Sequence, residues 1–270
     1  MIKMIVSDMD GTLLNSKKQL PGDFSEVYKL MKDADIRFVV ASGRQYYTLV
    51  DEFAHLEHDI VFIAENGSMV NFNGESQVLN AMYASELKEL IQALRSHKSA
   101  NIVLCGKNGA YIENDTSEEF MDEVGKYYVK NTVVDDLLTV EDEILKIAVN
   151  GFDNLETNVY PLIKKEFENS FQVSSSSPIW FDIMPIGINK GEAIRLLQKE
   201  LEIQPDECMA FGDYHNDLEL LQSVKHSYAM ANAHEDIKAI ARYCTDSNDE
   251  NGVMNAVRKY ITTSEIMTNC

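Results

Sequence analysis

Two aspartates, Asp8 and Asp10, stand two residues apart where the apolar run "MIKMIVS" gives way to "DMDGTLL". Side chains two apart on an extended chain tend to face the same way. Like charges held that close repel and raise a pKa, so the pair calls for a cation or a catalytic role. A second acidic group, Asp213 and Asp217 with Asn216 between them, follows the apolar run "ECMAF" in "GDYHND". Ser42, Gly43 and Arg44 follow a third such run, "IRFVVA". An aspartate at a strand end is often only a turn former or a helix cap. That reading serves one aspartate but not Asp8, Asp10, Asp213 and Asp217 together. Several carboxylates at one sheet edge need a hard cation, and oxygen ligands suit magnesium. Lys190 is the cation among these residues. Asn189 and Glu192 fit the N-cap and N3 positions of a capping box, which puts Lys190 in a first helical turn. The helix dipole disfavours a cation there, so an anion is expected opposite it.

The elements that must position these residues alternate. "MIKMIVS", "IRFVVAS" and "DIVFIAENG" are strand runs. Between them, Phe24, Val27, Tyr28 and Met31, then Tyr46, Leu49, Val50 and Phe53, recur at helical spacing. Strand, helix, strand predicts a parallel sheet covered by helices on both faces. In such sheets ligands bind beyond the carboxyl ends of the strands, where the three clusters, two acidic and one Ser-Gly-Arg, fall. Asn73-Gly74 marks a hairpin. From about Ala84 to Pro185 helices mix with antiparallel strands, and Ser174 to Ser177 reads as an exposed turn between two of them. The α/β rhythm returns with "NKGEAIRLLQKELEI", "ECMAFGD", the helix "NDLELLQSV", the strand "SYAMAN", and the helices "HEDIKAIARYC" and "GVMNAVRKYI". The expected fold is α/β, a Rossmann-like doubly wound parallel sheet with an inserted α+β domain. Residues 1–82 and 187–270 form the sheet domain and residues 83–186 the insert.

With 270 residues, 45% of them hydrophobic and 25% charged, the chain has an ordinary globular composition. Its net charge of −20 argues against nucleic acid or an anionic membrane as a partner. The first apolar run is too short for a signal peptide or a membrane span. Cys105, Cys208, Cys244 and Cys270 show no metal spacing and read as reduced thiols of a cytoplasmic protein. The six histidines form no metal pattern. His215 reads as a surface residue, with a substrate-facing position as the alternative. His55 and His58 read as solvated helix-end residues.

The motifs in order resemble the haloacid dehalogenase superfamily of phosphohydrolases, and within it the Cof-like group with a type-IIB cap. "DMDGTLL" looks like the family's DxDGTLL, "ASGR" like its second motif, "NKGEA" like its lysine motif and "GDYHNDLELL" like GDxxNDxxM. "SNDENGV" looks like NDExGV, and "ENG" at 65–67 like NGA with Ser68 in place of the alanine; Leu221 stands near where many relatives carry methionine. The resemblance implies that Asp8 is the nucleophile and a magnesium ligand. Asp10 would be general acid and base and lend its backbone carbonyl to the metal. Asp213 would be a further ligand, with Asp217 supporting the metal from behind or through water. Ser42, the Gly43 amide and Lys190 would hold the phosphate, and Asn216 would contact it or position Lys190. The insert would be a lid. Trp180, Phe181, Tyr111 and Tyr128 read as its core, with stacking on a sugar as the alternative.

The function this implies is magnesium-dependent hydrolysis of small phosphate monoesters through an aspartyl-phosphate, by a monomer. Sugar phosphates, a flavin nucleotide and pyridoxal phosphate stay open as substrates. A phosphosugar mutase of the phosphomannomutase type is one alternative, although "IKKEFEN" is the only conspicuous basic spot of the insert. A non-enzymatic, phospho-accepting receiver-like module is another.

Overall fold

The computed structural model describes residues 1–54, 60–114 and 117–263. His55 and His58 lie outside them. In chain order the strands are β1 (Met4–Ser7), β2 (Arg37–Ala41), β3 (Val61–Ala64), β4 (Met69–Phe72), β5 (Glu75–Val78), β6 (Asn101–Gly106) and β7 (Gly109–Glu113). Then come β8 (Asn131–Val134), β9 (Ile144–Asn150), β10 (Phe171–Ser177), β11 (Trp180–Pro185), β12 (Cys208–Gly212), β13 (His226–Ala229) and β14 (Tyr243–Cys244). They form an eight-stranded sheet, ordered β14-β13-β12-β1-β2-β3-β4-β5, and a six-stranded sheet, ordered β10-β11-β9-β6-β7-β8.

The eight-stranded sheet is parallel from β14 to β3 and turns antiparallel at β4. Consecutive residues of its central strands are buried, Met4-Ile5-Val6 and Met209-Ala210-Phe211 among them, so both faces are covered. The helix Phe24–Asp33 buries Phe24, Val27, Tyr28 and Met31, the set its spacing predicts. The β4–β5 turn has φ of 53° at Asn73 and 80° at Gly74, the left-handed pair that this hairpin turn needs.

The six-stranded sheet alternates strictly. Ile102, Leu104, Ile147 and Val149 join one core with Leu90, Ile91 and Leu94 of the helix Ala84–Arg95. Val103, Cys105 and Ala148 join another with Phe120, Val124, Tyr128 and Trp180. This is the two-residue period of a sheet covered on both sides. Trp180, Phe181 and Tyr128 are buried, in keeping with the core reading. Ser174–Ser177 is not a turn: Ser174 pairs with Asp182 and Ser175 with Phe181 on the edge strand β10, with a bulge before Ser177. Serine suits an edge position, where one side of the strand meets water.

The chain divides into two compact units, Met1–Gly43 with Ala54–Ser76 and Asn189–Cys270, and Arg44–Phe53 with Gln77–Ile188. The division differs from the sequence-based one at residues 44–53, 77–82 and 187–188, which belong to the second unit. Side-chain bonds explain the first of these. Gln45 Nε2 donates to the Lys130 carbonyl at 2.9 Å, Thr48 Oγ1 to that of Tyr127 at 2.7 Å and Tyr47 Oη to that of Lys107 at 3.2 Å.

Two further expectations are corrected. "HEDIKAIARYC" is helical only over Glu235–Ile240, and Tyr243–Cys244 is the edge strand β14. Cys105 and Cys208 are buried thiols outside any disulfide, but Cys244 is disulfide-bonded. No helix among the described residues is long and apolar enough to cross a membrane.

Candidate active site

The first unit gathers its charge where β1 and β12 end side by side. Ser7 is in register with Phe211, and the Asp8 amide continues the ladder to the Phe211 carbonyl at 3.1 Å. Asp8 and Asp213 therefore leave the sheet from neighbouring strands. Gly11 has a φ of +80°, and a Cβ there would stand 2.3 Å from Asp213 Oδ2. Only glycine permits both that conformation and that approach. Thr12 Oγ1 donates to Asp213 Oδ1 at 2.7 Å, fixing the carboxylate from the neighbouring loop.

The helix Lys190–Glu200 brings the cation. The Asn189 side chain accepts from the Glu192 amide at 2.9 Å, the expected N-cap bond. The Glu192 side chain pairs with Arg195 at 2.6 Å. Lys190 Nζ donates to Asp8 Oδ1 at 2.5 Å and to Asp217 Oδ1 at 2.6 Å, which supplies the anion expected opposite this first-turn lysine. Lys190 and Asp217 are fully buried and Asp8 nearly so. Asp217 Oδ2 accepts from the amides of Asp213 and Tyr214 at 3.0 and 3.3 Å. Both oxygens of Asp217 are thus engaged in holding Lys190 and the loop.

Carboxylate oxygens of Asp8, Asp213 and Asp217 lie within 4.8 Å of one another. Burial, then the charge of Asp217, push the Asp8 carboxyl well above the usual range, against the pull of Lys190. Burial pushes Asp213 up to about 6, opposed by the Thr12 hydrogen bond and reinforced by Asp217. Burial alone would favour the neutral Lys190 amine, but Asp217 and Asp8 outweigh it and hold the ammonium above its ordinary value. Three carboxylates against one ammonium leave an excess of buried negative charge, and every convergent donor is oxygen. That donor set fits a hard divalent cation such as magnesium.

The remaining predicted residues separate into two groups. The Asp10 carboxylate is not part of the triad: its Oδ1 accepts from Lys18 Nζ at 2.5 Å, and its side chain is 38% exposed. Ser42 and Gly43 follow β2, and Asn216 meets them through Asn66. The Asn66 amide donates to the Ser42 carbonyl at 3.0 Å, and Asn216 Nδ2 donates to Asn66 Oδ1 at 3.4 Å. Asn66 has a φ of 56°, which asparagine tolerates better than most residues.

Sequence reasoning missed Thr12, the role of Asn66, and Asn232. Asn232 Nδ2 donates to the Gly11 carbonyl at 2.8 Å while its Oδ1 accepts from the Asn248 amide at 3.0 Å. Asn248 Nδ2 in turn donates to the Leu14 carbonyl at 2.9 Å. This chain of amides braces the loop carrying Asp10. "SNDENGV" signalled its Asn248 end; nothing in "ANAHED" signalled Asn232.

Residues 5–257 match the haloacid dehalogenase-like hydrolase family. The 5-amino-6-(5-phospho-D-ribitylamino)uracil phosphatase YbjI of Escherichia coli is 32% identical over 261 residues, covering 96% of each chain. The phosphatase of the same name from Bacillus subtilis, YcsE, is 27% identical over 264 residues, again covering 96% of each. Among solved structures, a haloacid dehalogenase-like hydrolase from Bacteroides thetaiotaomicron superposes with a TM-score of 0.85 at 26% identity, covering 96% of this chain and 99% of that one. These matches set aside the receiver-like alternative. The chain belongs to the haloacid dehalogenase-like hydrolases, as the motifs implied, and is a phosphoric monoester hydrolase.

Proposed function

We propose that this chain is a magnesium-dependent phosphatase that hydrolyses small phosphate monoesters through a phosphorylated Asp8. The observation that carries the reading is Lys190, buried and bonded at once to Asp8 and Asp217 beside Asp213. An ammonium so placed pulls Asp8 toward its ionised form, against burial and Asp217, and orients it as a nucleophile requires.

Asp8 attacks phosphorus, and the bond from phosphorus to the ester oxygen breaks. Asp10 gives the departing alkoxide a proton and takes one from the water that later attacks the aspartyl-phosphate, releasing phosphate and restoring Asp8. Its exposure and its lysine neighbour suit that exchange. Ser42, the Gly43 amide, Asn216 and Lys190 hold phosphoryl oxygens as charge shifts among them. Magnesium, held by Asp8, Asp213 and the Asp10 carbonyl with Asp217 behind them, would offset the repulsion between Asp8 and a phosphate dianion. The second unit acts as the cap that selects the leaving group.

The relatives named for 5-amino-6-(5-phospho-D-ribitylamino)uracil make that ribityl phosphate the first substrate to assay. The test is phosphate release from it, and from a panel of sugar and cofactor phosphates, with magnesium and with excess chelator. The expected result is turnover of at least one ester with magnesium and none with chelator. Full activity in chelator would overturn the metal reading, and hexose isomerisation without phosphate release would replace hydrolysis by mutase chemistry.

A further inference from the structure

The proposed chemistry leaves a cluster of metal-ligating side chains unused. His215, His234 and Asp236 each offer a ligand atom, and these atoms lie within 4.8 Å of one another. His215 Nε2 stands 2.9 Å from Asp236 Oδ2, and His234 Nδ1 stands 3.4 Å from the same oxygen. The two imidazole rings are 4.4 Å apart, tilted by 52°.

Backbone bonds set these positions. The His234 amide donates to the Asp213 carbonyl at 2.9 Å, which ties one histidine to the loop carrying the other. His234 Nδ1 accepts from the Asp236 amide at 3.2 Å, where the helix Glu235–Ile240 begins, a bond that an ion held by Nδ1 would replace. The Tyr214 ring packs against His215 at 4.8 Å and His234 at 5.9 Å. Two imidazoles and a carboxylate converging on one point are what a divalent ion of borderline softness takes. Magnesium prefers oxygen alone. All three residues are exposed, so water can complete the coordination.

We infer that His215, His234 and Asp236 form a second metal site, distinct from the Asp8–Asp213–Asp217 cluster, that takes a zinc-class transition ion and not magnesium. The two sites divide by donor chemistry, nitrogen-rich against all-oxygen, and a net charge of −20 favours any cation at either.

The test uses metal-stripped, full-length protein labelled with 15N at histidine, in excess magnesium, titrated with zinc. The imidazole signals of His215 and His234 should move with zinc and stay still with magnesium alone. They should move equally in Asp8→Asn, which separates this site from the acidic one. In the double variant His215→Gln/His234→Asn, where asparagine keeps the helix cap, calorimetry should show zinc affinity lower by about tenfold or more. Imidazole signals that ignore zinc in the wild-type protein would overturn the proposal and need no variant to fold. Zinc binding to the double variant as tight as to wild type would also overturn it. Neither measurement depends on turnover, so failure of the phosphatase reading would leave the result intact.

Discussion

Each of the two units buries a lysine, and the two sit in different surroundings. Lys190, in the first unit, lies between Asp8 and Asp217 at 2.5 and 2.6 Å, with Asp213 close by. Lys146, on β9 of the second unit, reaches Asp182 of β11 at 3.5 Å. The first arrangement carries more negative than positive charge in a buried place; the second holds its ammonium beside Asp182 by a longer contact between two strands of one sheet, a contact that serves the fold. Burial, reinforced by the Asp217 charge, raises the carboxyls of Asp8 and Asp213, and the surplus of negative charge there calls for a further cation.

The largest expected break of this contrast is chemical. Asp8→Asn should lower phosphate release by about 10^4-fold or more, the scale of removing a nucleophile. Asp182→Asn, in the second unit, should leave the magnesium requirement in place. Steady-state phosphate assays on folded variants read both.

Stability sharpens it next. Lys190→Met strands Asp8 and Asp217 without their shared cation and should cost about 3–5 kcal/mol in metal-free protein. The double variant Lys190→Met/Asp217→Asn should recover part of that loss. Lys146→Met gives up a longer contact and should cost less, on the order of 1–3 kcal/mol. Urea melts measure all three, and a larger loss from Lys146→Met than from Lys190→Met would invert the comparison.

The smallest effect is a pair of opposite pH slopes. Asp213 in the fold sits at about 6, above its unfolded value. The native state therefore binds the extra proton between about 4 and 6, and stability falls as pH rises through that window, by on the order of 1–2 kcal/mol. Asp213→Asn should remove this slope. In the second unit, the Lys126 and Trp180 hydrogen bonds hold Glu123 below the usual carboxylate range. Its contribution is present above the ordinary glutamate value and is lost as pH falls through the folded one. Trp180 donates to Glu123 at 3.2 Å and is the single tryptophan, so its fluorescence in melts of metal-free protein reports the second unit against circular dichroism of the whole.

The contrast also marks what the sequence could reveal. The strands of the first sheet were legible because burial on both faces demands unbroken apolar runs, and the acids at their ends interrupt those runs abruptly. Lys190 was legible because a cation in a first helical turn is electrostatically out of place without an anion. The helix Tyr46–Glu52 was legible as a helix, but its spacing says only that one face is buried, not that Tyr127 and Lys130 receive its side chains. Asn232 and the His215–His234–Asp236 cluster were hidden for a related reason. Their partners come from separate loops, and no local period records a meeting made by tertiary packing. Ser174–Ser177 misled because a polar edge strand and a turn share a composition.

The central claim, that Asp8 carries the phosphoryl group while Asp10 moves the protons, is tested most directly by trapping the intermediate. Asp10→Asn should still let Asp8 attack an aryl phosphate, whose phenolate leaves without a proton, but should stall the hydrolysis that follows. Rapid-quench mixing with magnesium and an aryl phosphate should give a burst of phenol matched by acid-stable phosphate on the peptide that contains Asp8. A burst with the label on another residue, no burst at all, or continued turnover by Asp8→Asn would contradict the account.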